Sequence, residues 1–135
     1  MITEDYVSFE VAKLLKEKGF NVPFYFFYRT DDKSIHHVVA ANPLIYCDKI
    51  DDEVISAPSL SMAMKWLRKV HNIHIAIVPC EVGPGVMDYT YILYKVDTEN
   101  FIFNDLEIQG RANTDKMSAS KTCEAAIKYC LENLI

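Results

Sequence analysis

Two histidines three residues apart, His71 and His74 in the run HNIH, are the first residues whose types could do chemistry. On an unbroken helix that spacing puts both imidazoles on one face, as metal ligands need. Asn72 predicts a helix end between them, and no Glu or third ligand stands at a useful spacing. The plainer reading is a helix-terminal His71 favoured by the dipole. His36 and His37 are neighbours on a predicted strand, so they point to opposite faces and cannot chelate one ion together. No residue is assigned as a metal ligand.

Carboxylates cluster at Asp31 and Asp32, at Asp51, Asp52 and Glu53, and again at Asp97, Asp105 and Glu107. Paired acids can hold Mg²⁺, and Asp105 and Glu107 would share one face of a strand. Glu107-Ile108-Gln109 faintly resembles the acidic strand of metal-dependent nucleases, but Gln109 stands where such enzymes usually carry Lys. Acidic turns and loops are the commoner use of such residues. The cysteines are Cys47, Cys80, Cys123 and Cys130, with no CxxC pair, which argues against a zinc knuckle or a thioredoxin-like motif. Cys123 and Cys130 are seven apart on one predicted helix face, the spacing of reduced, buried core thiols. There is no GxSxG, P-loop or Rossmann glycine pattern. No catalytic residue and no cofactor is assigned.

Lys65, Arg68 and Lys69 form a basic stripe on one side of a predicted helix. Cations near a helix C-terminus are stabilised by the dipole, and solvated faces are usually charged. The stripe could also meet a phosphate or an acidic partner. Met62 projects toward the same polar face, and an exposed Met beside cations hints at a protein contact. Met62, Lys65, Arg68 and Lys69 are therefore the candidate partner surface. The aromatic run FYFFYR at 24–29 is the other candidate. Alternation sends Phe24, Phe26 and Tyr28 to one face and Tyr25 and Phe27 to the other; one set must be core, and the other, if uncovered, marks a partner surface. No Gly-rich RNA-binding signature flanks it.

The elements that position these residues are legible from periodicity. A first helix spans about 9–18, with Ser8 as N-cap, Glu10 in the first turn, and Gly19 and Phe20 set for a Schellman ending. Strands at 24–29 and 35–40 make a hairpin around the polar turn 30–34. Residues 41–58 hold Pro43 and Pro58 and read as a packed irregular loop with room for one short strand. A second helix starts after Pro58 with Ser59 as N-cap. At about 100° per residue Leu60, Ala63, Met64, Leu67 and Val70 fall inside, with Trp66 at the edge. Ile73, Ile75 and Ile77 alternate as a strand stopping near Pro79. The loop EVGPG at 81–85 and a strand at 89–96 complete a second hairpin. A further short strand is suggested by Phe101, Phe103, Leu106 and Ile108, followed by a polar connection at 110–118. The last helix covers about 119–133, with Ala119, Cys123, Ala126, Ile127, Cys130, Leu131 and Leu134 inside.

The 135 residues predict one α+β domain over 1–135, with the order α-β-β-α-β-β-α. The expected architecture is two layers: an antiparallel sheet of about four strands with three helices on one face. Half the residues are apolar and 24% are charged, an ordinary globular composition. A net charge of -5 disfavours a general nucleic-acid binder. No apolar run approaches the roughly 18 residues that span a bilayer, and MITEDYVSFE lacks the order of a signal peptide. No membrane association is expected, and the setting is read as cytoplasmic.

The pieces VAKLLKEKGF, APSLSMAMKWLRKVHNIHI and EAAIKYCLENLI resemble a group of short, uncharacterised proteins from phages and prophage-like regions of gut Bacteroidetes, similar in length and in order of parts. The matching positions are helix caps and core faces, about half the chain, so no catalytic residue carries over. The resemblance implies a mobile-element accessory protein in a bacterial cytoplasm. The sequence thus points to a small non-catalytic protein-protein interaction module, able to self-associate. Its alternatives are a nucleic-acid-binding accessory factor using Lys65, Arg68 and Lys69, and a metal-dependent enzyme using Asp105 and Glu107.

Overall fold

The computed structural model describes residues 2–22, 26–37, 54–112 and 118–135. In chain order they form α1 (Phe9–Glu17), β1 (Phe26–Arg29), β2 (Ile35–His37), β3 (Val54–Ser56), α2 (Leu60–His71), β4 (Ile73–Gly83), β5 (Val86–Asp97), β6 (Ile102–Gly110) and α3 (Ala119–Asn133). The class is α+β, and the strand pairs are antiparallel. The strands differ from expectation in number and grouping. Among the described residues there are six rather than about four, in two three-stranded sheets ordered β2-β1-β3 and β4-β5-β6. β3 emerges from the Pro-bounded stretch read as irregular and pairs with β1. The last strand is nine residues long and follows β5 along much of its length. No helix among the described residues is long and apolar enough to cross a membrane.

The chain divides into two compact units, 1–62 and 63–135, with the division inside α2. In the first, Ser8 caps α1 by accepting from the Val11 N–H. Gly19 (φ 91) ends it, with its own N–H on the Lys16 oxygen and that of Phe20 on the Leu15 oxygen, the paired bonds of a Schellman motif. Val7, Val11, Leu15, Phe20 and Ile55 are buried. Phe26 and Tyr28 turn toward the N-terminal segment: Tyr6 lies 4.5 Å from Phe26, Phe9 meets Tyr28 edge-on at 5.7 Å, and the Tyr28 hydroxyl donates to the Val7 oxygen at 2.7 Å. Phe27 faces the other way and stacks on His36. Phe24, Tyr25, Cys47 and the acids at 51–53 lie outside the described residues, as do 38–40 of the returning strand.

In the second unit, α3 packs on β4, β5 and β6 and makes a helix layer over a sheet. Ser118 caps it by accepting from the Lys121 N–H at 3.2 Å. Its buried stripe is Thr122, Cys123, Ala126, Ile127, Cys130 and Leu131, set against Ile73, Ile75, Tyr91 and Leu93 of the sheet. Each fully buried aliphatic contributes roughly 1.5–3 kcal/mol. Cys123 Sγ lies 3.4 Å from Met64 Sδ, joining α3 to α2. Two expected core positions are exposed, Val70 at 57% and Ala119, while Met64 and Leu134 are only half-buried. Val70 and Ala119 each sit in a terminal turn of their helix, where the covering layer runs out. β4 continues through Pro79 to Gly83, since an edge strand can accept a residue that donates no ladder bond.

Candidate functional site

Asn72 takes the left-handed conformation (φ 58) and turns α2 into β4. The helix therefore ends between His71 and His74, as the sequence predicts. At this corner Arg68 and Lys69 of α2, Asn72, His74 of β4 and Thr98 beyond β5 form the polar walls of a pocket of about 280 Å³, with Ile73 and Val96 as its apolar part. Arg68, Lys69, His74 and Thr98 are exposed. No acidic side chain lines the pocket.

The end of α2 carries orphan carbonyls, which favour cations. The sequence assigns that role to His71, but the structure gives it to Lys95, whose ammonium donates to the His71 oxygen at 2.7 Å. The Val96 N–H takes the Asn72 oxygen at 2.8 Å. His71 itself is half-buried edge-on to Trp66 at 4.8 Å. Burial first, and the Lys95 charge second, push its pKa below the usual 6.5, so its ring is neutral at pH 7. Its Nε2 is shielded from solvent without a hydrogen-bond partner among the described residues.

Of the four residues expected to form a partner surface, Arg68 and Lys69 meet in this pocket. Lys65 is exposed on the same helix but does not line it. Met62, in the first turn of α2, is 37% exposed and belongs to the first unit.

A second, apolar feature stands at the β5–β6 turn. The Asp97 carboxylate accepts from the Asn100 side chain at 2.7 Å and from the N–H groups of Glu99 and Asn100 at 3.0 and 3.2 Å. These bonds, that of the Asn100 side chain foremost, hold its pKa below the usual range and keep it charged. The loop then places Phe101 in the left-handed region (φ 54) and 94% exposed. Ile102 and Phe103 follow, 44% and 67% exposed, with Phe103 stacked on Tyr94 at 5.2 Å.

No family model, curated protein or solved structure matches this chain. Its own geometry carries the functional argument.

The acidic strand differs from expectation. Pairing jumps from Leu93 with Ile108 to Tyr94 with Asp105, leaving Leu106 and Glu107 in a bulge. Glu107 sits at φ 56, and its N–H donates to the Asp105 carboxylate at 2.8 Å. The alternation that would have set both acids on one face is broken. Asp105 serves the bulge, and both residues are exposed. His36 stacks on Phe27 and His37 meets Phe26 at a tilt, on opposite faces of β1 and β2. Burial raises the Cys123 thiol to about 11 and the Cys130 thiol to about 12, far from a nucleophile's range.

Sequence reasoning does not find Asn72, His74 and Thr98 as one pocket, because Thr98 joins it only through the pairing of β4 with β5. It also treats Phe101 as strand interior. The available signal was the loop DTENF, where Asp97 sets a turn and a short hairpin loop ends on a left-handed residue.

Proposed function

We propose that this chain is a protein-binding module, working in the bacterial cytoplasm as an accessory protein of a phage or mobile element, and that it binds through the aromatic end of the β5–β6 hairpin. The carrying observation is Phe101, 94% exposed at φ 54. Leaving a Phe side chain in water forgoes roughly 1.5–3 kcal/mol. Holding a non-glycine residue in the left-handed region costs about 1–2 kcal/mol more. Gly or Asn would meet this backbone conformation at less cost. Two penalties on one side chain point to a use outside the folded chain.

The occupant we assign is a protein with an apolar cleft and a basic rim. Asp97, Glu99 and Asp105 are the acids nearest Phe101, Ile102 and Phe103 in sequence, and complementary charge around an apolar centre is the usual interface pattern. A second copy would bring the same acids and repel them. Binding rather than catalysis is favoured by the fate of the reactive groups: high-pKa thiols and an Asp105 carboxylate committed to the backbone.

The test is affinity capture from a bacterial host lysate with the wild-type chain and the Phe101→Asn/Phe103→Ser variant. A partner held by the wild type and by Arg68→Ala/Lys69→Ala, but lost from the aromatic variant at unchanged melting temperature, supports the reading. Capture unaffected by the aromatic changes would overturn it. So would light scattering that shows a homodimer abolished by them.

A further inference from the structure

We propose that the pocket where α2 meets β4 is a binding site for the phosphate group of a small phosphomonoester. Arg68 offers a planar guanidinium fork and Lys69 a mobile point charge, the two side chains most used against phosphate oxygens. The Asn72 amide and Thr98 hydroxyl add neutral donors, while Ile73 and Val96 offer apolar surface for the rest of the molecule.

Three observations favour an anion here. The chain carries 19 acidic against 14 basic side chains, yet Arg68 and Lys69 have no ion-pair partner among the described residues. No carboxylate lines the pocket. At the helix end, which would otherwise repel an anion, the final carbonyl, the His71 oxygen, carries the Lys95 ammonium, and the Asn72 oxygen just beyond it accepts from the Val96 N–H. The volume, about 280 Å³, lies just under the ~300–1,000 Å³ range of ordinary ligand pockets, so the occupant is compact.

The probes are inorganic phosphate, a nucleoside 5′-monophosphate, the matching nucleoside and a short single-stranded oligonucleotide, each titrated into ¹⁵N-labelled protein. Phosphate and the monophosphate should shift the amides of Asn72, His74 and Thr98, and the nucleoside should not. Arg68→Ala/Lys69→Ala should weaken the monophosphate by about tenfold or more, since it removes both charge-assisted contacts. Both side chains are exposed, so the melting temperature should hold. Equal binding by nucleoside and monophosphate, or by the variant and the wild type, would refute the site. Preferential, steeply salt-dependent binding of the oligonucleotide would also overturn it and assign the surface to nucleic acid.

Discussion

The ammonium of Lys95 donates to the carbonyl oxygen of His71 at 2.7 Å and ties the end of α2 to β5. It also places a positive charge beside the His71 imidazole, which burial already disfavours as a cation. Replacing Lys95 by Met should therefore raise the His71 pKa part of the way toward 6.5, with the larger burial effect remaining. The sign for stability follows from proton binding. Below pH 6.5 the unfolded chain binds a proton at His71 that the native ring resists, so stability falls as pH drops from 6.5 to the depressed native value. In Lys95→Met that loss should shrink. Imidazole NMR titration with urea melts at pH 5 and 7 measures both, and an unchanged His71 pKa would remove Lys95 from the account.

Phe101 should be worth more to a partner than to the fold. Phe101→Gly relieves a left-handed backbone and loses almost no packing, so it should stabilise the chain by about 1 kcal/mol. Denaturant unfolding at an unchanged m-value gives the number. A destabilised glycine variant would mean that the aromatic ring supports the loop, and the binding argument built on its cost would lose its basis.

What could be read from the sequence followed local rules. Ser8, Gly19, Ser59 and Asn72 mark helix ends by backbone chemistry that needs no distant partner, and all four stand where expected: Ser59 accepts from the Met62 N–H at 3.1 Å, and Asn72 is left-handed. The stripe of α3 followed its period, apart from Ala119 at the first turn and Leu134, which is a half-buried C-cap. Long-range pairing was not legible. Val54, Ile55 and Ser56 are too few to show alternation, and only Phe27, Tyr28 and Arg29 across the ladder make them a strand. The Leu106–Glu107 bulge shifts the pairing of β6 with β5 by two residues and leaves the alternation parity intact, so an alternation count cannot detect it. Of the candidate site, Arg68 and Lys69 were visible as charges on one helix. Their neighbours Val96 and Thr98 come from another element altogether.

The core thiols give a chemical readout of packing. Cys123 and Cys130 are buried with pKa values raised from 9 to about 11 and about 12, whereas Cys80 is only half-buried. At pH 8, a thiol reagent followed by peptide mapping should label Cys80 and leave Cys123 and Cys130 unmodified until urea is added. Because the native state holds these protons more tightly, their stabilisation is full below pH 9 and is lost as pH rises toward 11 to 12. Rapid labelling of Cys130 in the native protein would show that α3 opens from the sheet far below global unfolding.

Gly110 is set by one neighbour. It pairs with Tyr91 across β5 and β6, and a Cβ at Gly110 would stand 2.8 Å from Tyr91 Cε1, with the rest of the ring edge closer still. Tyr91 is only 7% exposed, within 6.3 Å of the Tyr129 ring on α3, so it has little room to swing away. Gly110→Ala should cost about 1–3 kcal/mol, the range for overpacking. In a Tyr91→Leu background the ring is gone, and the same change should cost far less. The difference between the two costs is the coupling, expected at roughly 0.5–3 kcal/mol for residues in direct contact. Urea denaturation of the four proteins in the cycle measures it. A coupling near zero would place the penalty in the Gly110 backbone, at the end of β6, and would clear Tyr91 of enforcing a glycine there.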